Sequence, residues 1–180
     1  MINSHTARVL ARYRTWANNV LFDSMAALPL QELVKLRKTL FKSMIGTANH
    51  NLVIDLIWQA HLVQKPHVFK ARDVVLHADL ADFRSAQGDI DKWFENWSDE
   101  QTDTSLAETL SFAYVSGERS AMTRGAMFIH LVNHSTHHRG WICEMFFDVP
   151  MRPPVTDLPV FLDLTSGSDR ITHLDSPAKL

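Results

Sequence analysis

The chain has 180 residues, 46% of them hydrophobic, and its formal net charge is -2 because 20 acidic residues nearly balance 18 basic ones. This length suffices for one well-formed core and is short for two domains. A near-neutral charge provides no basic field that would attract nucleic acid or anionic lipid. We therefore expect a single domain that binds neither nucleic acid nor membranes.

The N-terminal segment carries charges every few residues and lacks the uninterrupted apolar stretch of a signal peptide or membrane span. A cytoplasmic protein is expected. Cys143 is the single cysteine, which rules out an internal disulfide and a cysteine-rich zinc site. Any metal must therefore be bound by nitrogen or oxygen ligands.

Helical periodicity dominates four stretches of the sequence. The first begins near Ser4, which can cap it, and ends at Leu28-Pro29. The second runs from about residue 40 to residue 64, the third from about 79 to 97, and the fourth from about 120 to 147. In each stretch apolar residues recur every three or four positions, as on one face of a helix.

The remaining segments are less regular. Thr109 to Tyr114 alternates weakly and Ser116-Gly117 is typical of a turn, so a short extended segment is possible there. Residues 165–180 form a polar tail that is predicted to be flexible, which leaves residues 1–164 as one domain. Four long amphipathic helices predict an all-α four-helix bundle, and the long connections on either side of the third helix permit a crossover topology.

The fourth predicted helix contains the main candidate site, because its segment AMFIHLVNHSTHHRGWICEM places four histidines close together. His134 and His138 stand at i and i+4, so two imidazole nitrogens can reach one ion from one helix face. His130 lies one turn earlier on that face. The same face carries large apolar residues, namely Met127, Trp141 and Met145. Buried imidazoles need a metal or a polar network to satisfy their nitrogens.

The second helix offers a third imidazole, because His50 lies on its inward face beside the small residues Gly46 and Thr47. Three neutral imidazoles with one open position are how catalytic zinc is bound. A di-iron carboxylate site would instead need Glu-x-x-His pairs, and no Glu in this chain has a His three residues later. On geometry alone His137 remains an alternative to His138.

Three blocks of sequence resemble the DinB-like (also called YfiT-like) family of damage-inducible, metal-dependent bacterial proteins. The blocks are RYRTWANNVL at 12–21, GTANHNLVIDLIWQAHL at 46–62 and HLVNHSTHHRG at 130–140. PPVTDLPVFL at 153–162 is similar to the closing segment of the family. Together these blocks span nearly the whole chain up to residue 162.

The resemblance implies a bundle with a long crossover, a homodimer, and a divalent ion, zinc or nickel, bound by His50, His134 and His138. It favours His138 over His137 as a ligand. Many members of the family have Gln after the Arg-Gly pair, where this chain has Trp141. The substrate pocket beside the metal is therefore expected to be lined differently.

Several nearby residues keep more than one interpretation. His130 is either a partner that orients a ligand or a pocket wall. Arg139 either binds an anionic substrate group or forms a structural salt bridge. Trp16 and Asn18 belong to the first block, but a core position and a hydrogen-bonding role are favoured for them. Cys143 as a nucleophile is disfavoured.

The leading functional hypothesis is an enzyme whose metal activates an oxygen or sulfur nucleophile of a small-molecule substrate. The resemblance implies either a thiol S-transferase that joins a low-molecular-weight thiol to an electrophile for detoxification, or a hydrolase. By helical angle Glu144 and Asp55 point away from the histidines, so no general base or other catalytic residue is identified, which slightly favours thiol transfer. The alternative is a non-catalytic metal-binding stress-response protein, in which His130 or His137 closes the coordination.

Overall fold

Residues 2–165 are described here from a computed structural model. Four long helices form the body of the protein: α1 (Ser4–Ala26), α3 (Met44–Leu62), α4 (Leu80–Asp99) and α6 (Arg124–Met145). Three short helices accompany them: α2 (Leu30–Val34), α5 (Asp103–Ala107) and α7 (Leu158–Thr165). A hairpin of β1 (Thr109–Ala113) and β2 (Arg119–Thr123) precedes α6, and a 3-10 turn at Phe146–Asp148 follows it.

The four long helices are arranged in the order α1, α4, α3, α6 around the bundle. α1 packs against α4 and α6, and α3 packs against the same two helices. α1 and α3, which follow one another as long helices, therefore lie on a diagonal, and so do α4 and α6. The predicted all-α bundle is confirmed, and two of its connections cross the bundle instead of joining neighbouring helices.

The start of α3 differs from the sequence-based boundary near residue 40. The Ser43 side chain accepts a hydrogen bond from the Gly46 backbone N–H, and this cap begins the helix at Met44. The preceding residues form turns, and Lys42 has a positive φ of 65°. The apolar pattern of the helix continues backward through Leu40, which lies in the non-helical turns. Periodicity alone therefore could not locate the first residue of α3.

The start of α6 also lies later than predicted. Residues 119–123 pair with β1 in an antiparallel register, and Thr123 then caps α6 by accepting a hydrogen bond from Ala126 N–H. The short extended segment expected around residues 109–114 is confirmed as β1. The first helix is capped by Asn3, one residue before the expected Ser4.

The core lies between the four long helices and includes large side chains from each of them, such as Leu21, Leu52, Phe94 and Phe128. Apolar burial of this kind is the main favourable term in folding. α7 adds Phe161, whose ring lies 5.9 Å from that of Tyr13 and 5.7 Å from that of Trp16.

Across residues 2–165, none of the helices combines the length and the apolar character needed to cross a membrane. The tail predicted to be flexible falls, from residue 166 onward, outside the described residues. The proposed domain boundary at residue 164 stays a prediction.

Candidate metal centre

The structure brings His50 of α3 together with His134 and His138 of α6. One nitrogen from each of the three rings lies within 4.8 Å of the others. The Nε2 atoms of His50 and His134 are 3.2 Å apart, and the ring centroids of His134 and His138 are 4.4 Å apart. The packing of α3 on α6 makes this group, since one histidine comes from one helix and two from the other.

A backbone carbonyl fixes the orientation of His50. Its Nδ1 lies 2.7 Å from the carbonyl oxygen of Arg72, which can only accept, so Nδ1 carries the proton and donates it. The Nε2 lone pair is thereby left free and faces His134. Hydrogen bonds of this kind commonly orient the histidines that bind metals. Arg72 was missed from the sequence because it lies in a loop, far along the chain from His50.

Burial keeps the three histidines neutral. It lowers the pKa of His134 to about 2 and that of His138 to about 4, and the neighbouring histidines add to both shifts. Burial lowers the pKa of His50 as well. A metal requires the neutral, deprotonated nitrogen, so these rings are in the form that binds an ion at neutral pH.

One nitrogen of the group lacks a partner. His138 Nδ1 is buried and makes no hydrogen bond. Leaving a buried polar atom unsatisfied costs about 1–3 kcal/mol, and bound ions are one recognised reason that such atoms persist. With three neutral imidazoles as donors, the residues fit a divalent transition metal such as zinc or nickel.

Aromatic rings enclose the histidines on two sides. The Phe41 ring stacks on His50 at 3.9 Å, and Trp141 meets His138 edge-on at 4.6 Å. Gly46 permits the first contact, because a Cβ at this position would collide with the Phe41 carbonyl oxygen. Trp141 thus lies in the wall of the site, where the resemblance placed the difference from other family members. His134 is only half-buried and provides the side that solvent reaches.

The other two histidines of α6 lie outside the group. His137 is exposed and packs against Trp141, with their ring centroids 4.8 Å apart. His130 is half-buried, and its ring lies 4.7 Å from that of Trp58 and 5.7 Å from that of His134. Within residues 2–165, no fourth histidine, cysteine or carboxylate belongs to the group. The geometry favours His138 over His137, although the assignment of all three ligands stays a prediction.

Comparison with known proteins agrees with this arrangement of helices. A model of the DinB family matches residues 1–173. The chain belongs to the DinB family. A crystal structure of a DinB-like protein from Bacillus cereus superposes with a TM-score of 0.59 at 17% sequence identity, covering 80% of this chain and 91% of that chain. At that identity the likeness concerns the fold, and no curated protein matches the chain.

In this DinB-family protein Arg139 has neither role that the sequence left open. The residue is 1% exposed, so it cannot meet a substrate, and it forms no salt bridge within residues 2–165. Its guanidinium instead donates hydrogen bonds to four neutral side chains: Tyr13, Asn18, Ser135 and Thr136. Arg139 therefore ties α6 to α1. Its contact with Asn18 agrees with the hydrogen-bonding role favoured for that residue.

A buried ionic network between α1, α3 and α4 was also missed. Arg14 Nη2 lies 2.6 Å from Asp55 Oδ2 and 2.8 Å from Asp91 Oδ1, and all three residues are buried. Gln87 donates to both carboxylates, and Asn18 donates to Asp91. In the sequence, the only sign of this network was that polar residues occupy inward-facing positions of three helices. Such a pattern does not determine which residues form pairs.

Burial raises the pKa of the Cys143 thiol. A thiol whose pKa is raised forms less of the nucleophilic thiolate at neutral pH. The structure therefore supports the low rank that the sequence gave to Cys143 as a nucleophile.

Proposed function

We propose that this DinB-family protein is a metal-dependent enzyme in which His50, His134 and His138 bind one divalent ion, zinc or nickel. The observation that carries the proposal is the convergence of three neutral imidazoles within 4.8 Å, with no fourth ligand residue in the group among residues 2–165. Structural zinc sites are usually closed by four protein ligands, whereas catalytic sites use three and keep one position for water or substrate.

The surrounding residues supply orientation and exclusion of water. The Arg72 carbonyl orients His50, while Phe41 and Trp141 shield the group on two sides. When bound, an ion held by neutral ligands keeps its full charge and lowers the pKa of a water or thiol that reaches it. The half-buried side at His134 is the approach for a small substrate.

We place thiol S-transfer first, with a low-molecular-weight thiol and an electrophile as substrates. This reaction needs no separate general base, and the three-histidine group contains no carboxylate within residues 2–165. Asp55 cannot supply a base, since it is engaged by Arg14 and Gln87.

Hydrolysis is the second candidate, and one observation favours it. Burial lowers the pKa of His50; the hydrogen bond to the Arg72 carbonyl opposes that shift, and the charges of Arg72 and Asp73 act in opposite directions on it. Asp73 is exposed and directly follows Arg72, whose carbonyl contacts His50, so we propose this carboxylate as the general base that would accept a proton from water. Asp73 is thus the residue that separates the two candidates.

The test uses zinc- or nickel-loaded protein, with His50→Ala and Asp73→Asn as variants. Thiol transfer predicts consumption of chlorodinitrobenzene that requires glutathione or cysteine, vanishes in His50→Ala and persists in Asp73→Asn. Hydrolysis predicts thiol-independent cleavage of a nitrophenyl ester that falls by about 100-fold or more in Asp73→Asn, as expected for loss of a general base. If loaded protein turns over neither substrate class across a thiol, electrophile and ester panel, the non-catalytic metal-binding stress-response alternative replaces the enzyme.

We also propose a homodimer in the cytoplasm. An ion pair of 3.0 Å between Arg37 and Asp148 brings two exposed segments together, and each carries large apolar side chains. Leu36 is 79% exposed, Leu40 71% and Phe147 71%. Exposed apolar clusters of this kind are typical of interaction surfaces. Light scattering at micromolar concentration tests the dimer, and a monomer mass would contradict it.

A further inference from the structure

The side chain of Asn49 connects α3 to the loop that follows it. Asn49 is fully buried and directly precedes His50. Its Oδ1 accepts hydrogen bonds from the backbone N–H groups of Leu76 at 2.8 Å and His77 at 2.9 Å. Its Nδ2 donates to the carbonyl oxygens of His77 at 2.8 Å and Ile45 at 2.9 Å. A single amide group therefore binds three backbone atoms of the loop.

The loop between α3 and α4 depends on these contacts. In the described part of the chain, the hydrogen bonds of residues 66–78 go to two consecutive residues, Asn49 and His50. Phe69 packs against the core, but residues 70–76 are all exposed. Burial therefore does little to fix the position of Arg72, and the hydrogen bonds must do so.

We propose that Asn49 is a positioning residue for the metal centre. By holding residues 76 and 77 against α3, it keeps the Arg72 carbonyl within reach of His50 Nδ1 and so maintains the Nδ1–H tautomer. The free Nε2 of His50 then stays directed at His134. The effect on metal affinity rests on the proposed function, whereas the effect on the His50 tautomer exists without any metal.

The chemistry of the amide explains why this position carries Asn. The loop presents two N–H donors and one carbonyl acceptor, and a carboxamide can satisfy both kinds at once. Aspartate keeps the two acceptor contacts, but its second oxygen faces the carbonyl oxygens of Ile45 and His77 in place of the donor, and alanine loses all of these contacts. The two substitutions Asn49→Asp and Asn49→Ala therefore weaken the attachment of the loop in two steps.

The experiment measures the His50 tautomer in metal-free protein by ¹⁵N NMR of histidine side chains, together with amide exchange of Leu76 and His77 and the zinc Kd. We expect the Nδ1–H tautomer in the unmodified protein. In Asn49→Ala we expect loss of that tautomer, faster exchange of both amides, and a Kd raised about 10- to 100-fold, as is typical when a partner of a metal ligand is removed. Asn49→Asp, which weakens the attachment less, should lie between these two proteins in amide protection and zinc Kd.

Asn51→Ala is the matched control, because Asn51 is a buried asparagine of the same helix that makes no hydrogen bond to the loop. It should leave the tautomer and the zinc Kd unchanged. A folded Asn49→Ala variant with the original tautomer and Kd would overturn the proposal. If that variant does not fold, two other results would overturn the proposal. One is an Nε2–H tautomer of His50 in the unmodified protein. The other is loss of the Nδ1–H tautomer in Asn49→Asp while the Leu76 and His77 amides stay protected. If the unmodified protein binds no zinc, the proposed function is contradicted, but the effect of Asn49 on the His50 tautomer is still tested by the NMR measurement.

Discussion

Two polar clusters lie between the helices of this bundle, and they differ in the charges that their groups carry. In the ionic cluster, Arg14 is paired with Asp55 and Asp91, so opposite charges meet inside the cluster, and Arg14 Nε is its buried atom without a hydrogen bond. In the histidine cluster, three neutral rings turn nitrogens toward one another, and His138 Nδ1 has no partner.

The helix α3 contributes to both clusters, with His50 in one and Asp55 in the other. Burial is therefore common to the two regions and does not distinguish them. Opposite charges that pair inside a cluster hold helices together, whereas neutral imidazoles that converge offer their lone pairs to a cation from outside the chain. This difference supports the proposal that the histidines form the functional site and that the ionic cluster is structural.

The ionic cluster is expected to give the largest stability effect. Asp55→Ala leaves Arg14 short of one buried partner, and breaking a buried ion pair in this way costs about 3–5 kcal/mol. Urea unfolding measures the loss. The control is Asp99→Ala, which removes the exposed pair with Arg12 and should cost no more than about 1 kcal/mol. Equal effects of the two substitutions would contradict the distinction.

The histidine cluster should respond to metal where the ionic cluster does not. Zinc at about 100 times its Kd is expected to stabilise the folded protein by about 2.7 kcal/mol, since it binds the folded state only. Thermal unfolding with and without zinc measures this gain, and a chelator should abolish it. The gain should be absent in His138→Ala; a gain of the same size there would mean that zinc binds elsewhere.

The stability of the metal-free protein should depend on pH through the histidine cluster. Burial lowers the pKa of His138 from 6.5 to about 4. Between these values the unfolded chain binds a proton at this residue and the folded chain does not, so stability falls as pH falls from about 6.5 to about 4, by about 1.4 kcal/mol per pH unit. Urea unfolding across this range should give a shallower dependence in His138→Ala. Identical slopes in the two proteins would refute the assignment.

The helices and the histidine group could be predicted because they depend on local patterns in the sequence. The i, i+4 spacing of His134 and His138 places both on one helix face whatever the rest of the chain does. Likewise, the inward position of His50 follows from its apolar neighbours, and the structure places it 5% exposed. Such features depend on residues that are close in sequence.

Long-range pairing was not predictable in the same way. Arg14 and Asp91 are 77 residues apart in the chain, and Arg72 reaches His50 from an irregular loop through its backbone, which has no side-chain signature. The role of Arg139 was missed because its partners are neutral side chains that belong partly to α1. These contacts depend on which helices become neighbours, and periodicity within one helix does not determine that.

The most direct test of the account is the metal content of the purified protein and of two neighbouring variants, His138→Ala and His137→Ala, measured by plasma mass spectrometry. We expect about one divalent ion per chain in the unmodified protein, as three histidine ligands imply. His138→Ala should lose most of the metal, and His137→Ala, whose side chain is exposed, should keep it. Retention of metal in His138→Ala with loss in His137→Ala would contradict the proposed site.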